Sequence, residues 1–361
     1  MSATPVSNDP SLHDLRIEET VPLVSPEELL AEHPLTPELA AAVVRERREV
    51  KAILDRDDPR LLVVVGPCSV HDPVAALDYA RRLAELAPSL PDLLVVMRVY
   101  FEKPRTTTGW KGLINDPHLD ESGDVNTGLR TARHLLLEVL EVGLPIGCEF
   151  LDPITPQYIA DTVAWGAIGA RTTESQTHRQ LASGLSMPVG FKNRTDGNVG
   201  VAVDALRAAG APHSFAGVEL GGGSAILRTS GNSDCHIILR GGRGATNYDA
   251  VSVADTVERL RAVGLPERVI IDASHDNSGK DHERQPAVAA AIGEQVAAGE
   301  GAIVGVMLES FLEAGRQDLG GALAYGQSVT DKCMAWDTTV EVLRGLDEAS
   351  RTRRERSGAA S

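Results

Sequence analysis

The sequence has 361 residues, of which 35 are Lys or Arg and 51 are Asp or Glu, so its formal net charge is -16. This acidic balance argues against nucleic acid or an anionic membrane as the main partner, and it means that an anionic substrate needs a local basic pocket. No apolar run reaches the roughly eighteen residues of a membrane-spanning helix, and the N-terminus lacks the order of a signal peptide, so we expect a cytoplasmic protein.

The first 55 residues precede the repeating part of the chain and are predicted to form an arm and two helices. Residues 1 to about 20 are polar and aperiodic. The residues SPEE at 25–28 have the pattern of a capping box, and Thr36 and Pro37 open a second helix that runs to about Asp55. We therefore expect an N-terminal helical extension.

From residue 61 onward, short apolar runs alternate with longer amphipathic segments, which is the pattern of βα units and a parallel sheet. Eight such runs predict a (β/α)8 TIM barrel, an α/β fold, over residues 56–350, with 351–361 as a C-terminal tail. The predicted strands are Leu61–Val65, Leu93–Met97, Leu144–Phe150, Ala167–Ala170, Pro188–Phe191, Cys235–Leu239, Arg268–Ile271 and Ala302–Leu308.

One stretch does not fit the alternation. The segments 214–220 and 224–229 look like strands, but no helix long enough for a crossover separates them. Three glycines, Gly221 to Gly223, stand between the two segments. We interpret residues 213–230 as an inserted β-hairpin with these glycines as its turn.

In such a barrel, catalytic groups lie where the strands end at the carboxyl face. The residues at the eight predicted ends are all charged, reactive or metal-binding, and they are Cys68, Arg98, Glu149, Arg171, Lys192, Arg240, His275 and Glu309. A single one of them could be a structural residue. Eight together predict an active site at this face.

Cations form the larger group among these residues. Arg98, Arg171, Lys192 and Arg240 are joined by Lys103 and Arg105, which follow the second strand. Arg98 directly continues a buried strand, where a guanidinium is tolerated only opposite an anion. Six converging cations predict substrates with several negative charges, either two phosphates or a phosphate and a carboxylate.

A smaller group has the chemistry of metal ligands. Cys68, His275 and Glu309 supply sulfur, nitrogen and oxygen, and Asp331, in a turn past the eighth strand, is a candidate fourth ligand. This mixed set suits a divalent ion of Mn, Fe, Co or Zn and argues against Mg or Ca. Because the ligands lie far apart in sequence, we expect a catalytic and not a structural site.

Eight motifs together resemble the type I 3-deoxy-D-arabino-heptulosonate 7-phosphate synthases, and the resemblance runs from about Asp14 to about Arg354. The motifs are GPCSVHDP, RVYFEKPRTTTGWKGLINDP, GARTTESQ, PVGFKNRTDG, DCHIILRGG, IDASH, GVMLES and SVTDKC. The resemblance implies a metal-dependent (β/α)8 barrel that condenses phosphoenolpyruvate with erythrose 4-phosphate and releases phosphate, the first step of the shikimate pathway.

The resemblance also implies roles for individual residues. Metal ligation falls on Cys68, His275, Glu309 and Asp331. The phosphoenolpyruvate site falls on Arg98, Lys103, Arg171, Lys192 and Arg240, with Glu149 nearby, and the erythrose phosphate group falls on Arg105 and Thr106. Lys103 is in position to handle a proton, so Lys103, Cys68 and His275 are the candidate catalytic residues. Whether Lys103 acts as an acid, a base or a simple cation stays open.

Three other functions are weighed against this resemblance. An octulosonate 8-phosphate synthase uses the same phosphoenolpyruvate chemistry, but the KPRTTTGWKG loop resembles the heptulosonate enzymes more closely. A class II aldolase would use several histidine ligands, and only His275 ends a predicted strand. A catalytically silent regulatory barrel would have lost a ligand or a cation, and every one of these residues is present.

Regulation is where this sequence departs from the family it resembles. In regulated relatives the N-terminal arm and the inserted hairpin help to bind an aromatic amino acid across subunits, which implies a homodimer or homotetramer. Pro156, Gln157, Ser186 and Phe215 match positions that line this pocket. Gly217 stands where such relatives carry a serine, so we expect weak or altered inhibition by phenylalanine. Tyrosine and tryptophan stay open as effectors.

Overall fold

The chain order of helices and strands follows the alternation seen in the sequence. The computed structural model describes residues 12–105 and 107–359. Its elements are α1 (Pro26–Glu32), α2 (Pro37–Asp55), β1 (Leu61–Gly66), α3 (Pro73–Leu86), β2 (Leu93–Arg98), α4 (Val125–Glu141), β3 (Ile146–Glu149), α5 (Pro156–Ile159), β4 (Trp165–Ile168), α6 (Gln176–Gly184), β5 (Val189–Lys192), α7 (Gly200–Ala209), β6 (Ser214–Val218), β7 (Ser224–Arg228), β8 (His236–Leu239), α8 (Ala250–Ala262), β9 (Val269–Asp272), α9 (Gln285–Ala298), β10 (Ile303–Glu309) and α10 (Trp336–Ala359).

Eight of the strands close a parallel barrel in the order β1-β10-β9-β8-β5-β4-β3-β2. The seam is formed by β1 and β10, where Leu62 pairs with Gly305. Side chains fill the inside and helices cover the outside, so nearly every strand residue is buried. The predicted (β/α)8 barrel is confirmed. The predicted strand at 167–170 is displaced, because β4 begins at Trp165 and residues 169–170 already belong to the following loop.

The N-terminal helices have the predicted caps. Ser25 Oγ accepts a hydrogen bond from Glu28 N at 3.2 Å, and Ser25 N donates to Glu28 Oε2 at 2.9 Å, which completes the capping box. Helix α2 spans the predicted range, and its Arg47 donates to the Val163 carbonyl at 2.9 Å and to the Ala160 carbonyl at 2.6 Å. These bonds attach the extension to the loop that precedes β4.

The inserted hairpin is also present. Strands β6 and β7 pair antiparallel as a separate two-stranded sheet, with Phe215 opposite Leu227. Gly222 has a φ of +85°, a left-handed conformation that glycine adopts without steric cost. The Leu220 carbonyl accepts a hydrogen bond from Glu27 N at 2.8 Å, so the turn contacts the start of α1.

The C-terminal tail predicted for residues 351–361 is not separate from the barrel as far as residue 359, and residues 360 and 361 lie outside the described residues. Helix α10 continues through residue 350 and reaches Ala359. Arg353 on this helix donates to the Ile303 carbonyl at 2.8 Å and to the Pro59 carbonyl at 3.3 Å. These contacts fasten the last part of the helix beside the starts of β1 and β10. Among the described residues, no helix is both long and apolar enough to cross a membrane.

Candidate active site

A cavity of about 220 Å³ opens at the carboxyl ends of the barrel strands, where reactive residues were predicted. Nine predicted site residues line it, namely Arg98, Lys103, Arg105, Glu149, Arg171, Lys192, Arg240, His275 and Asp331. Cys68 and Glu309 are buried beside this group and contact Lys103 and Arg98, respectively. Thr106, the remaining predicted substrate residue, lies outside the described residues.

Three candidate ligands form a compact group of donor atoms. Cys68 Sγ and one carboxylate oxygen each of Glu309 and Asp331 all lie within 4.8 Å of one another. His275 adjoins them, with its Nε2 3.8 Å from Glu309 Oε1. Sulfur, imidazole and carboxylate donors from separate loops are a set that first-row divalent ions prefer. The residues present therefore fit such an ion.

His275 is oriented by a carboxylate that the sequence analysis did not single out. His275 Nδ1 lies 2.9 Å from Asp272 Oδ2, and Asp272 Oδ2 lies 3.1 Å from Lys192 Nζ. Burial alone would raise the pKa of Asp272, but His275 and Lys192 outweigh burial and hold this pKa well below its usual range. The hydrogen-bond partner of Nδ1 is Ser274 Oγ at 2.7 Å, and Ser274 Oγ donates to Asp272 Oδ1 at 2.6 Å. Because Nδ1 is engaged in this way, Nε2 is the imidazole atom that faces Glu309.

Lys103 lies within the donor group itself. Its Nζ is 2.8 Å from Cys68 Sγ and 2.9 Å from Asp331 Oδ2. Burial alone would lower the pKa of Lys103, but the negative groups around it outweigh burial and raise this pKa above its ordinary value. The side chain is therefore an ammonium at neutral pH. Burial, followed by the charge of Glu309, raises the pKa of the Cys68 thiol to about 12.

Arg98 does meet an anion, but the anion belongs to the protein. Its Nη2 lies 3.0 Å from Glu309 Oε1 and donates to the Cys68 carbonyl at 3.0 Å. The guanidinium carbon lies 3.7 Å from the centre of the Tyr100 ring. These contacts explain how a fully buried arginine is tolerated at the end of β2.

All six predicted cations line the cavity, but most of them are paired with carboxylates of the protein. Lys103 pairs with Asp331, Lys192 pairs with Asp272, and Arg240 pairs with Asp276. Among the described residues, only Arg105 and Arg171 of the six have no carboxylate partner, and both are exposed. Carboxylates of the protein therefore compensate four of the six cations, so these six side chains together are less positive than the sequence count indicated.

Glu149 approaches the cavity from the end of β3. A Cβ atom at Gly169 would overlap Oε1 of Glu149, so a larger residue at this position would require the Glu149 carboxylate to move. This close approach brings the loops after β3 and β4 together beside Arg171. Glu149 therefore lines the same cavity as Arg171.

The comparisons with known proteins identify the family. Residues 40–344 match the DAHP synthetase I family. The chain belongs to this family. It is 56% identical to a phospho-2-dehydro-3-deoxyheptonate aldolase of Corynebacterium glutamicum, over 98% of this chain and 99% of that protein. It is 58% identical to the Phe-sensitive protein of that name from Escherichia coli K12, over 94% and 98% of the two chains.

A solved structure gives the same result. The phospho-2-dehydro-3-deoxyheptonate aldolase of Francisella tularensis SCHU S4 superposes with a TM-score of 0.92 at 50% identity and covers 93% of this chain and 99% of its own. Other relatives are named Tyr-sensitive, from E. coli K12, and Trp-sensitive, from Enterobacter agglomerans. Membership of the DAHP synthetase I family, predicted from the motifs, is confirmed.

The five regulatory positions suggested by the family resemblance lie on three connected elements. Pro156 and Gln157 begin α5, Ser186 follows α6, and Phe215 and Gly217 belong to β6. Tyr158 Oη on α5 donates to the Val24 carbonyl at 2.7 Å. Val24 lies three residues before Glu27, whose N–H donates to the Leu220 carbonyl in the hairpin turn. Thr229 at the end of the hairpin lies 2.7 Å from Ser183 on α6, measured between their hydroxyl oxygens.

Lys280 is a cavity residue of this family member that the sequence analysis missed. It has a φ of +59°, and its N–H donates to the His275 carbonyl at 2.6 Å. It lies in a polar loop five residues past His275, away from any strand end, so no pattern in the sequence marked it. Asp272 could have been found, because it is the last residue of β9 and precedes His275 in the IDASH motif.

Proposed function

We propose that this protein condenses phosphoenolpyruvate with erythrose 4-phosphate and water to give 3-deoxy-D-arabino-heptulosonate 7-phosphate and phosphate. The observation that carries the proposal is one cavity in which cations adjoin a donor group of Cys68, Glu309 and Asp331. Family membership over residues 40–344 supports the same reaction. The cations match the two anionic substrates, and the donor group matches the need to activate a carbonyl.

Phosphoenolpyruvate is assigned to the side of the cavity that is formed by Arg171, Lys192 and Arg240, together with Arg98 and Lys103. Arg171 has no carboxylate partner among the described residues, so it is the group in this set that a substrate anion would neutralise. Erythrose 4-phosphate is assigned to Arg105 and Thr106. Holding the two anions side by side offsets their mutual repulsion and orients them for reaction.

A divalent ion of Mn, Fe, Co or Zn would be held by Cys68, His275, Glu309 and Asp331. When bound, such an ion supplies Lewis-acid polarisation of a carbonyl oxygen. Asp272 keeps the His275 ring oriented toward this group, and Arg98 holds Glu309 from the opposite side. These two contacts fix the ligand side chains before substrate enters.

Lys103 is assigned the proton-handling role. Because its pKa is raised, Nζ carries a proton at neutral pH and cannot act as a general base, and it gives up that proton only to an atom that becomes strongly basic during the reaction. Its ammonium also provides positive charge next to the bound phosphoenolpyruvate. We therefore assign Lys103 as an acid and a cation and not as a general base.

The reaction is tested with purified protein, phosphoenolpyruvate and erythrose 4-phosphate. We expect one phosphate released for each seven-carbon keto acid formed and poor activity with arabinose 5-phosphate. The opposite substrate preference would favour the octulosonate 8-phosphate reaction instead. Lack of turnover with either sugar in the presence of Mn or Co would reject both.

Two variants separate the substrate sites. Arg171→Met should raise the KM for phosphoenolpyruvate, and Arg105→Met should raise the KM for erythrose 4-phosphate, each with a smaller effect on the other substrate. Neither substitution leaves a buried carboxylate unpaired, because neither arginine has such a partner among the described residues. Equal effects of both variants on both substrates would contradict the assignment.

An aromatic amino acid effector and a homodimer or homotetramer complete the proposal. Relatives named Phe-, Tyr- and Trp-sensitive support an effector of this class. The hairpin exposes Ile226 and Leu220, which are 74% and 54% accessible, and the N-terminal segment exposes Leu12, Leu15 and Val21. Exposed apolar side chains on both elements support an assembly in which they are covered.

A further inference from the structure

Glu102 is a buried carboxylate that lies immediately before Lys103 in the chain. Only 5% of the residue is exposed. Its Oε1 accepts a hydrogen bond from Asp152 N at 3.2 Å, and its Oε2 accepts from Leu151 N at 3.4 Å and from Thr155 Oγ1 at 3.1 Å. The carboxylate thus bonds the segment that follows β3, where Glu149 ends the strand.

The same segment is held from its other side by His178 on α6. His178 Nε2 lies 2.7 Å from the Leu151 carbonyl oxygen, and its Nδ1 lies 2.8 Å from Ser175 Oγ. Leu151 is therefore bonded through its N–H to the loop after β2 and through its carbonyl to the helix after β4. Three successive loops at the mouth of the barrel are connected through this one residue.

The loop that carries Lys103 and Arg105 is fixed at its far end by independent contacts. Lys103 N donates to the Lys111 carbonyl at 2.8 Å, and Gly112 lies so close to the Phe101 backbone that a Cβ atom would overlap it. These contacts join the two ends of the loop to each other. Among the described residues, the bonds of the Glu102 side chain are what join the start of this loop to the segment after β3.

A buried carboxylate at this place is costly. Burial, and after it the negative charge of Asp152, raises the pKa of Glu102 to about 7. The other titratable groups nearby are Cys148 on β3 and His178 beyond Leu151, and burial holds the pKa of the Cys148 thiol far above neutrality. An ionised carboxylate can accept all the donors that face it, whereas an amide or a protonated acid would set an N–H or O–H against them.

We propose that Glu102 is a positioning residue whose carboxylate holds the loop of Lys103 and Arg105 in register with the segment of Glu149. The inference rests on the proposed function for its catalytic consequence. Lys103 Nζ has contacts of 2.8 and 2.9 Å with Cys68 and Asp331, so a small displacement of its backbone breaks them. Misplacement by about 1 Å can lower a rate by about a hundredfold.

The test compares Glu102→Gln with wild type in turnover and in amide hydrogen exchange. We expect kcat/KM for erythrose 4-phosphate to fall by about tenfold or more, with the larger part in KM. The KM for phosphoenolpyruvate should rise by a smaller factor, because Lys103 belongs to this loop whereas Arg171, Lys192 and Arg240 belong to other parts of the barrel mouth. Exchange in residues 103–112 should become faster, whereas exchange in the barrel strands should not.

The pH profile gives a second readout. In wild type the KM for erythrose 4-phosphate should rise as the pH falls through about 7, because protonated Glu102 loses acceptor capacity. Because a glutamine does not titrate, the KM of Glu102→Gln for erythrose 4-phosphate should rise less than that of wild type over the same pH range. Thr155→Val removes one of the three donors and should give a smaller effect of the same kind. Glu294→Gln on α9 is the matched control, because Glu294 is exposed and distant in the fold.

The outcomes separate this inference from the proposed function. Unchanged exchange in 103–112 together with an unchanged pH profile in Glu102→Gln overturns the inference, even if the wild-type reaction is the one proposed. Faster exchange confined to this loop supports the inference whatever reaction the protein catalyses. Should Glu102→Gln fail to fold, Glu102→Asp takes its place, and wild-type exchange and kinetics in that variant would overturn the inference.

Discussion

The Lys103 ammonium lies 2.8 Å from the Cys68 sulfur and so occupies a place among the candidate metal ligands. The same nitrogen donates a hydrogen bond to Asp331 Oδ2 at 2.9 Å. Burial alone would raise the pKa of Asp331, but Lys103 outweighs burial and holds this pKa well below its usual range. The acid is therefore ionised at every working pH. Lys103 and a bound cation would share the Asp331 carboxylate, so the charge of Asp331 would affect both metal binding and the protonation of Lys103.

We predict that activity depends on a divalent ion bound at this group. Protein treated with a chelator should be inactive and should recover with Mn or Co. Cys68→Ser should lose most of its activity and its affinity for the metal while staying folded, because it replaces the sulfur ligand and removes little volume. Direct metal titration and circular dichroism would check this.

Cys235→Ser is the matched control, because Cys235 is also buried but precedes β8 at the opposite end of a strand. It should retain metal affinity and activity. Full activity of the chelated protein, or of Cys68→Ser, would contradict the site.

We predict that Asp272→Asn weakens metal binding although Asp272 itself is not a proposed ligand. The asparagine would lose the negative charge that pairs with Lys192 and orients His275. Loss of such a carboxylate partner typically lowers metal affinity by about 10- to 100-fold. Isothermal titration with Mn would measure the effect, and wild-type affinity in the variant would show that His275 is oriented in some other way.

We predict that the stability of the fold falls in mild acid because of His236. This residue is fully buried on β8, and its Nε2 accepts a hydrogen bond from Trp165 Nε1 at 3.0 Å. Burial lowers the pKa of His236 to about 3. Between pH 6.5 and 3 the unfolded chain binds a proton that the native state excludes, so the free energy of unfolding decreases as the pH falls.

Between pH 7.5 and 5.0, His236 should lower the free energy of unfolding by about 2 kcal/mol. Urea unfolding followed by tryptophan fluorescence at the two pH values would measure it. His236→Gln keeps an acceptor for Trp165 and cannot titrate, so its stability should depend less on pH by this amount. Equal pH dependence in the variant and in wild type would exclude His236 as the cause.

We predict that phenylalanine inhibits the wild-type protein weakly and that Gly217→Ser strengthens the inhibition. The serine would supply the hydroxyl that the family resemblance implies at this position. A Cβ atom at residue 217 would lie 2.5 Å from Leu227 Cδ1, so the leucine side chain has to move aside. Gly221→Ser is the control, because a Cβ atom there meets no other atom within 4 Å. Strong inhibition of the wild type at low phenylalanine concentration would contradict this prediction.

Much of the site could be predicted because the fold places it. Parallel strands in a closed barrel bring all their carboxyl ends to one face, so Cys68, Arg98 and His275 could be grouped from their positions at strand ends alone. The same logic was less accurate for the predicted strand at 167–170, because β4 begins and ends two residues earlier, at Trp165 and Ile168. The N-terminal caps could be predicted because they depend on neighbouring residues only.

The charge balance of the site could not be predicted in the same way. Asp272, at the end of β9, neutralises Lys192, and Asp276, in the loop after β9, neutralises Arg240. This loop includes the positive φ of His275. Such contacts join residues that no periodic pattern relates. Glu102 was missed for a similar reason, because its partners lie about 50 residues away and are mostly backbone groups.

The seam between β1 and β10 has a consequence for the synthesis of the protein on the ribosome. Leu62 finds its partner in Gly305, and at roughly 5 to 20 residues per second the ribosome needs on the order of tens of seconds to supply it. During that time the apolar run LLVVVG has one open edge, which is the kind of surface that aggregates. Nascent chains of this barrel should therefore depend on chaperones, and chains terminated before residue 303 should accumulate as insoluble protein.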